Sequence, residues 1–100
     1  MKDKVANQIA QQLGGYGKLE SMIKAKHFVY GDNELTFMFS GSKKANNIRI
    51  ILTSSDTYDI TFCKIKKLDH DIVAELTGIY AEDLKETIER TIGLCLSLSA

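Results

Sequence analysis

Residues 27–39, His27-Phe28-Val29-Tyr30-Gly31-Asp32-Asn33-Glu34-Leu35-Thr36-Phe37-Met38-Phe39, decide the fold. Phe28 and Tyr30 recur at a period of two. Gly31-Asp32-Asn33 interrupts them with residues that favour tight turns. Leu35, Phe37 and Phe39 then resume the same period. Two alternating runs around a Gly/Asp/Asn turn specify an antiparallel hairpin with one apolar face.

The alternation continues downstream. Ser40-Gly41-Ser42-Lys43-Lys44-Ala45-Asn46-Asn47 reads as a polar, basic loop. Ile48, Ile50 and Leu52 alternate with Arg49, Ile51 and Thr53, and Ser54-Ser55-Asp56 turns the chain. Tyr58, Ile60 and Phe62 alternate with Asp59, Thr61 and Cys63. Lys67-Leu68-Asp69-His70 turns it again, and Ile72, Ala74 and Leu76 fit a last strand. The strands therefore fall near 27–31, 34–40, 47–53, 57–66 and 70–77. Their core face is predicted to run from Phe28 through Phe37, Ile50, Ile60 and Phe62 to Ile72, Ala74 and Leu76. The opposite face is mixed, with Thr36, Met38, Arg49, Ile51, Asp59, Thr61, Cys63, Val73 and Glu75.

Helical periods flank the strands. Val5, Ala6, Ile9, Ala10 and Leu13 make one stripe over 3–13, and Gly14-Gly15 ends it. Leu19, Met22 and Ile23 fit a turn and a half, so we read a short helix over 17–25. Tyr80, Leu84, Ile88 and Ile92 share a stripe over 81–92, with Glu82 and Asp83 at its positive pole. Gly93 closes this helix, and Leu94, Leu96 and Leu98 read as a tail pinned to the core. The expected architecture is α+β: a single two-layer domain over 1–100. A four- to five-stranded antiparallel meander has the N-terminal and C-terminal helices packed on one face.

Composition narrows the function classes. The 100 residues are 44% apolar and 26% charged, which suits one folded domain and excludes disorder. Proline is absent, which excludes PxxP ligands. The longest strictly apolar runs, such as Ile50-Ile51-Leu52, are far short of the roughly 20 residues of a membrane helix. The charged start, Met1-Lys2-Asp3-Lys4, has no apolar core behind it and is not read as a signal peptide. Cys63 and Cys95 are too few for a disulfide scaffold. These features predict a cytoplasmic protein with no membrane partner.

The common catalytic motifs are missing. There is no GxxxxGK[ST], GxGxxG or GxSxG. Gly14-Gly15-Tyr16-Gly17 follows a helix, where a phosphate cradle would open one after a strand. His27, His70, Cys63 and Cys95 are the minimum set for a zinc site, but they lack the short spacings that bring two ligands onto one ion. A Cys–His nucleophile pair would need Cys63 or Cys95 folded beside His27 or His70. Glu82, Asp83, Glu86 and Glu89 read as the solvated face of a helix. No catalytic residue, metal, cofactor or small-molecule substrate is assigned.

Charge is more informative. Thirteen basic and thirteen acidic residues cancel. Yet residues 1–50 hold eight basic groups against four acidic, and residues 51–100 hold five against nine. Lys24, Lys26, Lys43, Lys44 and Arg49, with Lys64, Lys66 and Lys67 nearby, form a candidate nucleic-acid surface beside Tyr16 or Tyr30. Lysines that guard loops and sheet edges are the ordinary alternative. The mixed sheet face, with Thr36, Met38, Ile51 and Thr61, is the candidate protein interface. It would serve a homodimer or a modulator of another protein.

Several stretches carry a resemblance. They are Gln11-Gln12-Leu13-Gly14-Gly15, Ala25-Lys26-His27-Phe28-Val29, Leu35-Thr36-Phe37 and Tyr58-Asp59-Ile60-Thr61-Phe62. Ile79-Tyr80-Ala81-Glu82-Asp83-Leu84, Thr91-Ile92-Gly93-Leu94 and Leu96-Ser97-Leu98 complete the set. The chain resembles a family of small, uncharacterised proteins encoded by bacteriophages and other bacterial mobile elements, over about residues 7–98. Cys95 stands where that family more often has Tyr, and His27 where it has Asn. The resemblance implies a protein made in a bacterial host's cytoplasm and supplies no mechanism. The expected function is that of a non-enzymatic small accessory binding protein. Its partner is a nucleic acid, held at the basic patch, or alternatively a protein.

Overall fold

The computed structural model describes residues 3–66 and 69–93. Helix α1 (Asp3–Gln12) and helix α2 (Tyr16–Ile23) precede five strands, and helix α3 (Ala81–Ile92) follows them. The strands are β1 (Lys26–Tyr30), β2 (Glu34–Met38), β3 (Asn47–Leu52), β4 (Tyr58–Lys66) and β5 (Asp69–Ile79). They form one antiparallel meander in the order β1-β2-β3-β4-β5, so β1 and β5 are the edges. The protein is a single α+β domain of two layers. Lys67, Leu68 and the tail with Leu94, Cys95, Leu96 and Leu98 lie outside the described residues.

The helices bury one sheet face. Leu35, Phe37, Ile48, Ile50, Tyr58, Ile60 and Phe62 point into the layer below, where Ala6, Ile9, Ala10 and Leu13 of α1 meet them. Leu84, Ile88 and Ile92 of α3 and Leu19 and Ile23 of α2 complete the core. An aromatic chain runs along its β1–β2 side. Tyr16 meets Phe28 edge-on at 5.0 Å, Phe28 lies 5.4 Å from Phe37, and Phe37 lies 6.4 Å from Phe39.

Helix ends follow from their residues. At the end of α1, Gly15 N–H donates to Ala10 at 2.8 Å and Gly14 N–H donates to Gln11 at 3.1 Å. This Schellman pairing needs the left-handed region, which Gly14 occupies at φ 106°. Helix α2 stops two residues earlier than the sequence pattern suggests, because Lys24 itself turns left-handed at φ 55°. Tyr80 is corrected: its backbone is extended, it precedes α3, and its side chain is 60% exposed rather than part of the buried stripe.

Strand β5 brings the other correction. Ile72 was expected in the core, but it is 63% exposed. Phe62 pairs with Ala74, whereas Cys63 pairs with Ile72, so one extra residue is inserted in β5. An extra residue reverses the alternation beyond it. Ala74 and Leu76 keep the helix face, while Ile72 joins Cys63 on the opposite face. A second insertion lies between the Tyr58–Ile79 and Ile60–Leu76 pairs. There Gly78 is left-handed at φ 68°, and its N–H donates to Asp59 Oδ1 at 3.2 Å.

One core group is imperfect. The Tyr58 hydroxyl is buried without a well-formed hydrogen bond, with the Gln8 side chain as its polar neighbour. Burial raises its pKa above the usual 10.0; Gln8 offsets the rise and the charge of Asp56 adds to it. Tyr58→Phe should therefore stabilise the fold by about 1 kcal/mol. The sign at alkaline pH also follows. Above about pH 10 the unfolded chain ionises Tyr58 while the folded one resists, so stability falls as pH rises. Denaturant titrations at pH 7 and pH 10.5 should show a weaker alkaline loss in Tyr58→Phe. Phe37→Ala removes the centre of the aromatic chain and should cost about 3–5 kcal/mol in the same assay.

Candidate nucleic-acid interface

The meander sets where the lysines go. β1 begins, β2 ends, β3 begins, β4 ends and β5 begins at the same end of the sheet. Lys26 opens β1 opposite Met38, and Lys64 and Lys66 close β4. Lys24 follows α2, and Ser40 N–H donates to Ile23 at 3.0 Å, which joins that helix end to the β2–β3 loop. The loop carries Lys43 and Lys44. Lys24, Lys26, Lys43 and Lys44 are all exposed at this end, and no carboxylate forms an ion pair with any of them among the described residues.

Asn46 fixes the loop. Its side-chain amide donates to the Ile65 carbonyl at 2.8 Å, and its side-chain oxygen accepts from Ile65 N–H at 2.8 Å. Its backbone N–H donates to Cys63 at 2.9 Å, and its carbonyl accepts from Phe39 N–H at 2.9 Å. The side chain thus stands in for one rung of a β-ladder and ties the loop to the end of β4. Ser42 supplies the second tie, donating from Oγ to the Ile92 carbonyl of α3 at 2.8 Å. The sequence pattern for both was only a polar loop. A pairing made by a side chain leaves no period to read.

These ties bring lysines to helix ends. Lys24 directly follows α2, and Lys43 and Lys44 follow Ser42 at the last carbonyls of α3. Carbonyl ends of helices are negative poles, so part of this positive charge has a structural partner. Lys64 and Lys66 face Asp71 and Asp69 across the β4–β5 ladder. Cross-strand pairs of opposite charge offset each other locally. The opposite end of the domain collects Asp32, Asp56, Asp59, Glu82 and Asp83.

Arg49 stands apart from the four lysines. It lies on the uncovered sheet face, where its Nη2 is 2.6 Å from Glu34 Oε2 and its Nε donates to the same oxygen at 2.7 Å. The aromatics are also elsewhere. Tyr16 is packed on Phe28, with its hydroxyl donating to Asn7 Oδ1 at 2.9 Å. Tyr30 ends β1, four residues and roughly 13 Å from Lys26.

The uncovered face is ordered by register. Thr36, Arg49 and Thr61 form one rung across β2, β3 and β4, flanked by Val29 and Glu75. Met38, Asn47, Cys63 and Ile72 form the rung on one side of it, and Glu34, Ile51 and Asp59 the rung on the other. Thr36, Met38, Ile51 and Thr61 therefore share one surface. Cys63 is a free thiol on it, one rung from the Ile65–His70 pair, and no hydrogen bond joins it to His70. A shallow hollow of about 310 Å³ lies beside the basic end, lined by Met22, Ile23, Lys24, Ser40 and Gly41. Among the described residues, no group of three His, Cys, Asp or Glu side chains is placed to hold a metal ion. No described helix is long and apolar enough to cross a membrane.

No family model, curated protein or solved structure matches the chain.

Asn46→Ala removes both bonds to Ile65 and should cost about 1–3 kcal/mol. Amide hydrogen exchange should accelerate at Ile65 and through residues 43–46, while the β2–β3 amides stay protected. An unchanged exchange rate at Ile65 would show that the clamp does not hold the loop.

Proposed function

We propose that the protein is a non-enzymatic accessory binding module of a phage or mobile element. It acts in the bacterial cytoplasm and holds the phosphates of a nucleic acid at its basic end. One observation carries the reading: Lys24, Lys26, Lys43 and Lys44 converge there, exposed and with no ion pair among the described residues, while Asp32, Asp56 and Asp59 lie at the far end. Flexible ammonium groups on loop and strand ends suit phosphate oxygens. Tyr16 is packed inward and Tyr30 is distant, so no aromatic platform for base stacking adjoins the lysines. The mode of binding is therefore contact with the backbone, indifferent to sequence and sensitive to salt.

Four phosphate contacts on a duplex give a slope of log K against log salt near about −3.6. Fluorescence anisotropy with labelled DNA and RNA at 20–200 mM salt (roughly the range over which such contacts weaken) measures it directly. Lys43→Glu with Lys44→Glu should abolish binding, and Arg49→Ala should leave the slope unchanged because Glu34 already occupies that guanidinium. Absence of binding at tens of micromolar protein, or a flat salt dependence, would refute the reading.

A second reading, a protein–protein module, draws on the uncovered sheet face. Met38 and Ile51 are half-buried there between Thr36, Thr61 and the Arg49–Glu34 pair, and no described helix covers them. Its partner is a host or phage protein or a second copy.

A further inference from the structure

The two edges of the sheet are defended differently. β5 carries Asp69, Asp71 and Glu75 and is broken by two insertions. Like charges and bulges on an edge discourage another strand from pairing with it. Two β5 edges brought together would also oppose carboxylate to carboxylate. β1 has no acidic residue, and its apolar Val29 and Tyr30 are 60% and 50% exposed.

We propose that β1 is an interface for a second copy of this chain, added antiparallel about a two-fold axis at Val29. The hydrogen-bonding phase of the hairpin supports this register. Gly31 N–H donates to the Glu34 carbonyl at 3.0 Å. Hydrogen-bonded pairs recur every second residue, so Val29 and Thr36 form the next one. The backbone N–H and C=O groups of Phe28 and Tyr30 consequently point to the open edge. About an axis at Val29, Tyr30 of each copy faces Phe28 of the other, and the two exchange both backbone bonds. Val29 faces Val29 in the non-hydrogen-bonded position, where side chains approach most closely.

Charge favours the same arrangement. Antiparallel addition lays the basic end of each copy beside the acidic end of the other. One residue is inserted in β1 between Lys26 and Val29, so Lys26 of one copy comes beside the Gly31–Asp32 turn of the second. Lys26 and Asp32 are both exposed, and neither has an ion-pair partner among the described residues of its own chain. The left-handed His27, at φ 56°, lies between Lys26 and Val29, where the β1–β2 register shifts. It limits the paired segment to about three residues a side. The interface is therefore small, and such contacts are weak and reversible.

Sedimentation equilibrium of the full chain from about 10 µM to about 1 mM covers the range expected for a small interface. It should show a monomer–dimer equilibrium. Val29→Lys should weaken the dimer about tenfold or more, because a charge at the axis faces its own copy. Ile72→Lys, on the β5 edge, should leave it intact. Lys26→Glu should weaken it, and adding Asp32→Lys should restore it, a rescue that a misfolded variant would not give. A strictly monomeric protein, a dimer indifferent to Val29→Lys and to the charge exchange, or one lost in Ile72→Lys would overturn the proposal. The last outcome would instead assign the interface to β5 or the outer face.

Discussion

Only one face of the five-stranded sheet is dry, and the rest of the molecule answers to that constraint. Three short helices reach across a single face, so the apolar residues that anchor the fold all point the same way. The described buried core holds no charged side chain, and among the described side chains Tyr58 is the one whose polar atom is enclosed without a good partner. Stability thus comes from area removed from water and from aromatic contacts. The other face is left to side chains that tolerate water. Thr36 and Thr61 flank Arg49 on one rung, and Arg49 pairs with Glu34 in a contact worth under about 1 kcal/mol at such exposure.

The same one-sided layering puts helix ends and strand ends together. Because the strands form a simple meander, the β2–β3 loop, the end of β4 and the carbonyl ends of α2 and α3 meet at one end of the domain. Asn46 and Ser42 satisfy backbone groups there that no ladder or helix reaches. The lysines gathered around them oppose the negative helix poles, which is a structural use. Partial charges of about half a unit per helix do not cancel four full ones. The surplus is what the proposed phosphate contacts use, and it explains why a chain of zero net charge still has a pronounced positive end.

Most of the architecture was legible because it is periodic. The alternation through Leu35, Phe37, Ile48, Ile50, Ile60 and Phe62 identifies the buried face residue by residue, and the stripe Leu84, Ile88, Ile92 does the same for α3. Legibility ends where a single residue breaks the period. The insertion between Ala74 and Ile72 is invisible in a run of apolar side chains, since Ile72, Val73 and Ala74 suit either phase. Lys24 ends α2 in a conformation usually left to Gly or Asn, and nothing in its chemistry announces that. Tyr80 sits at a helical spacing from Leu84 but one residue outside the helix. For the site, the sequence marked the lysines without showing that Arg49 would be spent on Glu34, or that the tyrosines would be carried elsewhere.

The edge insertions also account for a difference between the first and last strands. β5 is the longest strand, eleven residues at the sheet's edge, and an unbroken edge of that length would be the strongest template for unwanted pairing. Two insertions and three carboxylates along it act against that pairing, at the cost of turning Ile72 and Val73 into water. β1 is less than half as long, and its single irregularity lies at the Lys26 end. A five-residue strand needs less guarding, yet its regular part still offers the backbone groups of Phe28 and Tyr30. Regions of opposite charge lie just beyond both ends of that part. A polarised neutral domain that takes a neighbour at its side lowers its electrostatic energy when that neighbour lies antiparallel, and β1 is the edge whose side chains permit it.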